Sequence, residues 1–357
     1  MRIGLLAPPW LAVPPRGYGG TELVVDALAR ALSALGHDVL LAAPGDSTCP
    51  VPRVPDLPES RPKRIESGVL EAAFVLAGHR ALRDCDVVHD HTVLGPLVAE
   101  RRCPRLAATA HNPFSGEHGP VYRETARRAA LVAISAHHAS TAAAPPAAVI
   151  RHGIDVDAVP LGGGGSGRAL FLGRMTPDKG VHEAALAARA AGVPLDIAAR
   201  VSDDERDYFD SAVAPLLGDD VVFLGEIDGP SKRELLGAAL ALVNPLRWPE
   251  PFGLVMVEAL AAGTPVITRR CGAAPEIVDD GVTGVLRADV DGLADALRRV
   301  GELDRQDCRL AAERRFSSRR MAQDHLRLYT RLLERVPESR APAHGSAGVA
   351  LASRPVA

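Results

Sequence analysis

Two carboxylates, Glu250 and Glu258, stand in Trp248-Pro249-Glu250-Pro251-Phe252-Gly253-Leu254-Val255-Met256-Val257-Glu258, and their surroundings define what they could do. Pro249 and Pro251 oppose helix around Glu250. Residues 254–262 have helix-forming composition and stop at Gly263, a residue suited to the left-handed position that ends a helix. Glu250 is therefore expected in a loop, and Glu258 about a turn and a half inside a helix. Between them the amides of Phe252, Gly253, Leu254 and Val255 lack intrahelical partners and carry the positive end of the helix dipole, which makes a socket for phosphate. Carboxylates do not ligate phosphate, so the two acids would hold hydroxyl groups at the two ends of a phosphate-bearing ligand. A sugar nucleotide has that shape. The same residues also fit a solvated amphipathic helix whose acids cover surface, and helix chemistry alone does not choose between the two.

A second constellation is Gly173-Arg174-Met175-Thr176-Pro177-Asp178-Lys179-Gly180, directly after a strand-like run. Arg174 offers a fork for phosphate oxygens and Lys179 a point charge, together able to offset the charge of a departing diphosphate; loop cations are as often merely solvated. In Gly17-Tyr18-Gly19-Gly20-Thr21-Glu22, Gly19 and Gly20 either let a ligand approach a helix start capped by Thr21 or simply turn the chain. This is no dinucleotide fingerprint, because a Pro-rich loop at 8–15 separates it from the first strand. His111 closes a strand and could hydrogen-bond a sugar hydroxyl or position a reacting centre, although a lone histidine is more often structural. The pairs His89/His91 and His137/His138 have no third ligand at metal-site spacing and read as non-metal. There is no GxSxG, GxxxxGK[ST] or HExxH. No metal-bridging acid motif is read at a strand end, so neutralising a diphosphate falls to Arg174, Lys179 and helix dipoles, with no metal expected.

These residues need a frame that gathers strand ends. Strand-like runs at 2–7, 39–43, 87–89, 106–110, 131–134 and 148–151, then 169–173, 195–199, 221–224, 240–245, 265–268 and 284–287, alternate with helical patterns. The clearest helices are 21–35, 181–191, 231–239 and 254–262, and the alternation predicts an α/β protein with parallel sheets. A chain of 357 residues exceeds what one core usually supports. The expected division is a Rossmann-like domain at 1–155, a flexible Gly-rich linker at 156–167 and a second Rossmann-like domain at 168–320. A helix at 321–335 would pack back on the first domain, ahead of a disordered tail at 336–357. Loops at the carboxyl ends of both sheets would then face one cleft. The 47% hydrophobic share, with only 4% aromatic residues, suits helices packed on parallel strands. A net charge of -3 with dispersed cations excludes nucleic acid as the main partner. Five cysteines without a CxxC pair argue against disulfides and zinc. Without a signal-peptide pattern or a bilayer-length apolar run, a soluble cytoplasmic protein is expected.

Taken in order, these segments resemble retaining glycosyltransferases of family 4, whose GT-B fold sets two Rossmann-like domains with parallel sheets facing across a cleft. The resemblance covers roughly residues 1–330. It rests on Tyr18-Gly19-Gly20-Thr21-Glu22, His111, His152-Gly153-Ile154-Asp155, Gly173-Arg174 with Lys179-Gly180, Glu250-Pro251-Phe252-Gly253 through Glu258-Ala259, Ala261-Ala262-Gly263-Thr264-Pro265-Val266, and the segment 272–276. It implies transfer of a sugar from a nucleoside diphosphate, with UDP or GDP the expected carriers, to a hydroxyl of a glycan, lipid or secondary metabolite. The anomeric configuration would be retained and no metal used. It further implies that Glu258 binds the ribose, Glu250 the donor sugar, and Arg174 and Lys179 the diphosphate together with the amides of Phe252, Gly253, Leu254, Val255, Gly19 and Gly20. The base would lie near Glu226 and Ile227, and His111 beside the donor sugar. Asn244-Pro245-Leu246-Arg247-Trp248 departs from the commoner Pro-Ser before the Glu motif and resembles a bacterial branch that includes transferases of antibiotic biosynthesis. A sugar-nucleotide epimerase of the same fold and a non-catalytic sugar-nucleotide-binding protein are the alternatives. Arg61, Lys63, Arg64, Arg80 and Arg83 are candidates for a weak peripheral membrane contact.

Overall fold

The structure is a computed structural model that describes residues 1–65, 67–99 and 105–334. The first half runs β1 (Arg2–Leu6), α1 (Gly20–Ala34), β2 (Asp38–Ala42), α2 (Gly68–Ala81), β3 (Val87–Asp90), α3 (Gly95–Val98), β4 (Arg105–Thr109), α4 (His118–Arg128), β5 (Ala130–Ala133), α5 (Ala136–Ser140) and β6 (Ala148–Val149). The second half runs β7 (Ala169–Arg174), α6 (Val181–Ala191), β8 (Leu195–Arg200), α7 (Arg206–Tyr208), β9 (Val221–Gly225), α8 (Gly229–Ala238), β10 (Leu242–Asn244) and α9 (Leu254–Ala261). It continues with β11 (Val266–Arg269), α10 (Ala274–Ile277), β12 (Gly284–Arg287), α11 (Val290–Arg299), α12 (Arg305–Phe316) and α13 (Ser318–Glu334). Buried parallel strands must be apolar on both faces, which is why such short runs were visible as strands.

Each half carries one six-stranded sheet, in the orders β2-β1-β3-β4-β5-β6 and β12-β11-β10-β7-β8-β9. Every pair of named strands is parallel. The strand order reverses between β1 and β3 in the first sheet and between β7 and β10 in the second. A crevice opens at such a reversal because the connections leave to opposite faces, and ligands of open parallel sheets bind there. The ends of these four strands and the segments that follow them carry Gly19-Gly20 at the start of α1, His91, Arg174 with Lys179, and Glu250.

Ile3, Leu5, Leu28 and Leu41 pack with Met321 and Tyr329 of α13, so the last helix completes the core of the first half. In the second half, Ala184, Ala187 and Ala188 of α6 lie against Phe171 and Ile197, small side chains letting the helix sit close to the sheet. The chain crosses between the halves twice, side by side: Ile154 N–H donates to the Phe316 carbonyl at 2.9 Å, and Ser318 N–H to the Ile154 carbonyl at 2.7 Å. Arg320 spreads its guanidinium over the carbonyls of Arg151 and His152, both at 2.8 Å.

Two local expectations are corrected. Gly19, not Thr21, takes the N-cap position of α1, which places Thr21 inside the first turn. The Gly-rich segment is not a free tether either: Gly162 N–H donates to the Ala262 carbonyl and Gly164 N–H to that of Gly237, both at 3.0 Å, while Arg305 Nε donates to the Gly162 carbonyl at 2.8 Å. A Cβ on Gly162 would stand 2.1 Å from the Gly237 carbonyl oxygen, so this glycine serves close backbone approach. The expected tail at 336–357, position 335 and Cys103 lie outside the described residues. Among the described residues no helix is long and apolar enough to cross a membrane.

Candidate active site

The wall supplied by the second half is built around the β7/β10 reversal. β7 ends at Arg174, and the turn Pro177–Lys179 leads into Gly180, whose left-handed φ of 74° and lack of a side chain let it lie against Pro245. A Cβ there would approach the Pro245 carbonyl oxygen to 2.4 Å. Arg247 N–H donates to the Asp178 carbonyl at 2.8 Å, joining the two loops. Lys179 Nζ is thereby delivered to the Glu250 carboxylate, with the Trp248 ring centroid 5.2 Å from the ammonium. Gly272 backs this loop in a left-handed conformation, φ 57°, where a Cβ would strike the Glu250 amide.

Gly253, at φ 101°, turns the chain into α9, and Gly263, at φ 73°, receives it at the other end, as the sequence predicted. Glu258 accepts from Lys232 Nζ of α8 at 2.5 Å. The side chains of Glu250 and Glu258 are only 16% and 14% exposed, so neither acid is solvated surface. Two lysine–glutamate pairs therefore flank the amino end of α9, one before it and one along it. Arg174 is more exposed and sits 3.8 Å from Asp178. Glu226 follows β9, with Oε1 3.5 Å from the Tyr18 amide of the first half; Ile227 packs on the apolar cluster beside it. Gly19 needs its missing side chain for contact with Pro15, whereas Gly20 faces open space.

The first half contributes histidines. His111, just past β4, is half-buried; burial, with His138 nearby, pushes its pKa down to about 3. Its Nε2 lies 3.0 Å from His91 Nδ1, and its ring stacks on that of His152 with centroids 5.1 Å apart. His152 meets Phe252 edge-on at 5.1 Å, so the column reaches the loop before α9 in the other half. Inward, His91 lies 4.1 Å from the ring of His89, and His89 4.7 Å from that of His325 on α13. His89 is fully used, Nδ1 with the Tyr329 hydroxyl and Nε2 with that of Thr109, both at 2.7 Å. Burial is the leading cause holding His89, His91, His152 and His325 well below the ordinary imidazole range. Glu22, buried in the first turn of α1, is pushed up to about 7 by the same cause.

Side chains also bind the halves to each other. Ser135 Oγ donates to the Pro251 carbonyl at 2.6 Å, adjoining Glu250. Glu276 accepts from the amides of His137 and Ala136 at 2.7 and 2.9 Å, capping α5 from across the boundary, and from Arg151 at 3.0 Å. Desolvation opposes ionisation of Glu276, but these two amides and the guanidinium hold its pKa below the usual value. The sequence reading singled out His111, Arg174, Lys179, Glu250 and Glu258, and the structure gathers the last four on one wall. It passed over Lys232, Ser135, His152 as a ring partner, and the link from His91 to His111. Only the HxH at 89–91, lying at a strand end, was a usable signal.

Comparison with known proteins shows the family and the fold. Residues 18–158 match the family profile described as Glycosyltransferase Family 4, and residues 166–302 the one described as Glycosyl transferases group 1. The chain is 31% identical to the phosphatidyl-myo-inositol mannosyltransferase of Mycolicibacterium smegmatis, over 89% of each chain. It is 30% identical to the glycogen synthase of Mycobacterium tuberculosis, over 80% of this chain and 83% of the relative. Among solved structures, AviGT4, a glycosyltransferase involved in avilamycin A biosynthesis, superposes with a TM-score of 0.73 at 27% identity, covering 93% of this chain and 98% of AviGT4. Anabaena HepE, solved with UDP and glucose, superposes equally well at 22% identity and bears on the fold alone: TM-score 0.73, 92% of this chain and 99% of HepE. The chain belongs to glycosyltransferase family 4: it is a glycosyltransferase with the GT-B fold.

Proposed function

We propose that this glycosyltransferase transfers a sugar from a nucleoside diphosphate to an acceptor hydroxyl with retention of configuration and without a metal. The observation that carries the reading is the pair of lysine–glutamate contacts flanking the amino end of α9, beside Arg174 at the same strand reversal. Arg174, Lys179 and the amides of Phe252, Gly253, Leu254 and Val255, with those of Gly19 and Gly20, take the diphosphate. Glu250 takes donor-sugar hydroxyls, Glu258 the ribose, the Glu226–Ile227 segment the base, and His111 the sugar from the opposite wall. The acceptor oxygen attacks the anomeric carbon on the face from which the diphosphate leaves, and the departing phosphate oxygen takes the acceptor proton. No enzymic base is required, so positioning and fixed positive charge supply the rate, and Lys179 held by Glu250 is charge already in place.

The donor is read by thermal shift with UDP, GDP, ADP and their sugars, with and without a chelator, because a ligand that binds the folded state raises its stability. A shift unaffected by chelator and larger for one nucleotide supports the reading; loss of the shift with chelator ends metal independence. NMR of the glycoside formed then reports retention or inversion.

The peripheral membrane contact belongs to the same proposal. On and beside α2, the exposed Ile65, Val69 and Leu76 accompany the exposed Arg61, Lys63, Arg64, Arg80 and Arg83, apolar groups set among cations as an anionic lipid surface requires. Co-sedimentation with phosphatidylglycerol vesicles that falls as salt rises is the expected result.

A further inference from the structure

The contact between His91 and His111 decides whether the nitrogen of His111 left free, Nδ1, carries a proton. Both rings are neutral near pH 7, so each carries one proton on one of two nitrogens. One arrangement has His91 Nδ1–H donating to His111 Nε2; the other has His111 Nε2–H donating to His91 Nδ1. The second nitrogen of His91, Nε2, is buried without a partner, in a side chain only 4% exposed. Were His111 the donor, that buried nitrogen would have to carry the hydrogen of His91. A buried N–H with no acceptor is rarer in folded proteins than an acceptor left short of a donor. The proton of His91 therefore belongs on Nδ1, where it has an acceptor.

We infer that His91 is a positioning residue that fixes His111 as the Nδ1–H tautomer, so that His111 offers the cleft a hydrogen-bond donor and not a lone pair. His111 Nδ1 has no protein partner among the described residues and is not enclosed by the chain, which leaves it for a ligand oxygen. The stack with His152 holds the ring plane while His91 selects the tautomer. A sugar hydroxyl or ring oxygen is the acceptor chemistry such a donor fits, and this part rests on the reading of His111 as the residue beside the donor sugar.

The direct test needs no substrate. Long-range 1H–15N correlation on the full chain with 15N-labelled histidines, assigned by single substitutions, should show His111 protonated at Nδ1 and bare at Nε2, and His91 likewise. The opposite pattern on His111 overturns the inference. His91→Asn keeps an amide N–H close to the Nδ1 position and should preserve the His111 pattern, whereas His91→Leu should release it to a mixture; an unchanged pattern in His91→Leu also overturns it. With UDP-glucose and GDP-mannose as donor probes, His91→Leu should lower kcat about tenfold with little change in KM, and His91→Asn should restore most of it. If His111→Ala turns over either probe normally, the positioning role fails while the tautomer spectrum stands, so the two failures are distinguishable.

Discussion

The two walls of the cleft treat charge in opposite ways. On the second-half wall charge is kept and matched, Lys179 with Glu250 and Lys232 with Glu258, in side chains still 14–19% exposed. On the first-half wall five histidines, His89, His91, His111, His152 and His325, are packed so closely on one another that burial keeps each neutral. The difference teaches how work divides in a site of this kind: one wall holds paired, oriented charge, the other uncharged hydrogen bonding and shape. Under the proposed transfer, a cationic imidazole beside a sugar that develops positive charge would repel it, and neutral rings avoid that repulsion.

The largest expected effect breaks the contrast from the histidine side. The folded pKa values lie below the ordinary 6.5, so as pH falls the unfolded chain takes up protons first. Stability from these rings is fully present above about pH 6.5 and is lost as pH falls below it, by about 1.4 kcal/mol per pH unit for each buried ring. Urea unfolding at pH 7.5, 6.5 and 5.5 should show a steep fall. His325→Leu, which removes a ring whose Nδ1 has no partner, should make the slope shallower by one ring; an unchanged slope would contradict the account.

From the charged side, Lys179→Ala should lower turnover at least about a hundredfold, the scale of losing one group that stabilises developing negative charge. Full activity in that variant would sink the assignment. Glu258→Gln should act on binding more than on chemistry, weakening nucleotide affinity about tenfold in a titration with little change in kcat. The smallest effect lies deep in the column: Tyr329→Phe deprives His89 Nδ1 of its partner and should cost about 1 kcal/mol in denaturant unfolding, with turnover unaffected.

The same contrast separates what was legible in the sequence from what was not. The charged wall is written locally: Arg174 and Lys179 follow one strand, Glu250 precedes one helix and Glu258 lies within it, so spacing alone places all four. The strands were legible because 3–6 and 130–133, buried throughout, must be apolar runs. The histidine wall draws on β3, the loop after β4, the crossing near 152 and α13, and nothing in a sequence says that rings so far apart stack. Lys232 was missed for a related reason, since it meets Glu258 only through the packing of α8 on α9. Gly162 was read as loose because glycine permits both freedom and close contact, and only the position of Gly237 decides between them.

The paired chain crossings at Ile154 and Ser317 have a mechanical consequence. One crossing would act as a ball joint, letting the halves swing and twist about a point. Two strands held together by reciprocal hydrogen bonds, with Arg320 bracing the carbonyls on one side, act as the two knuckles of a hinge. They leave one easy rotation and resist the others. Any movement between the halves is thereby guided about one axis, with the His152 carbonyl and Arg320 beside it.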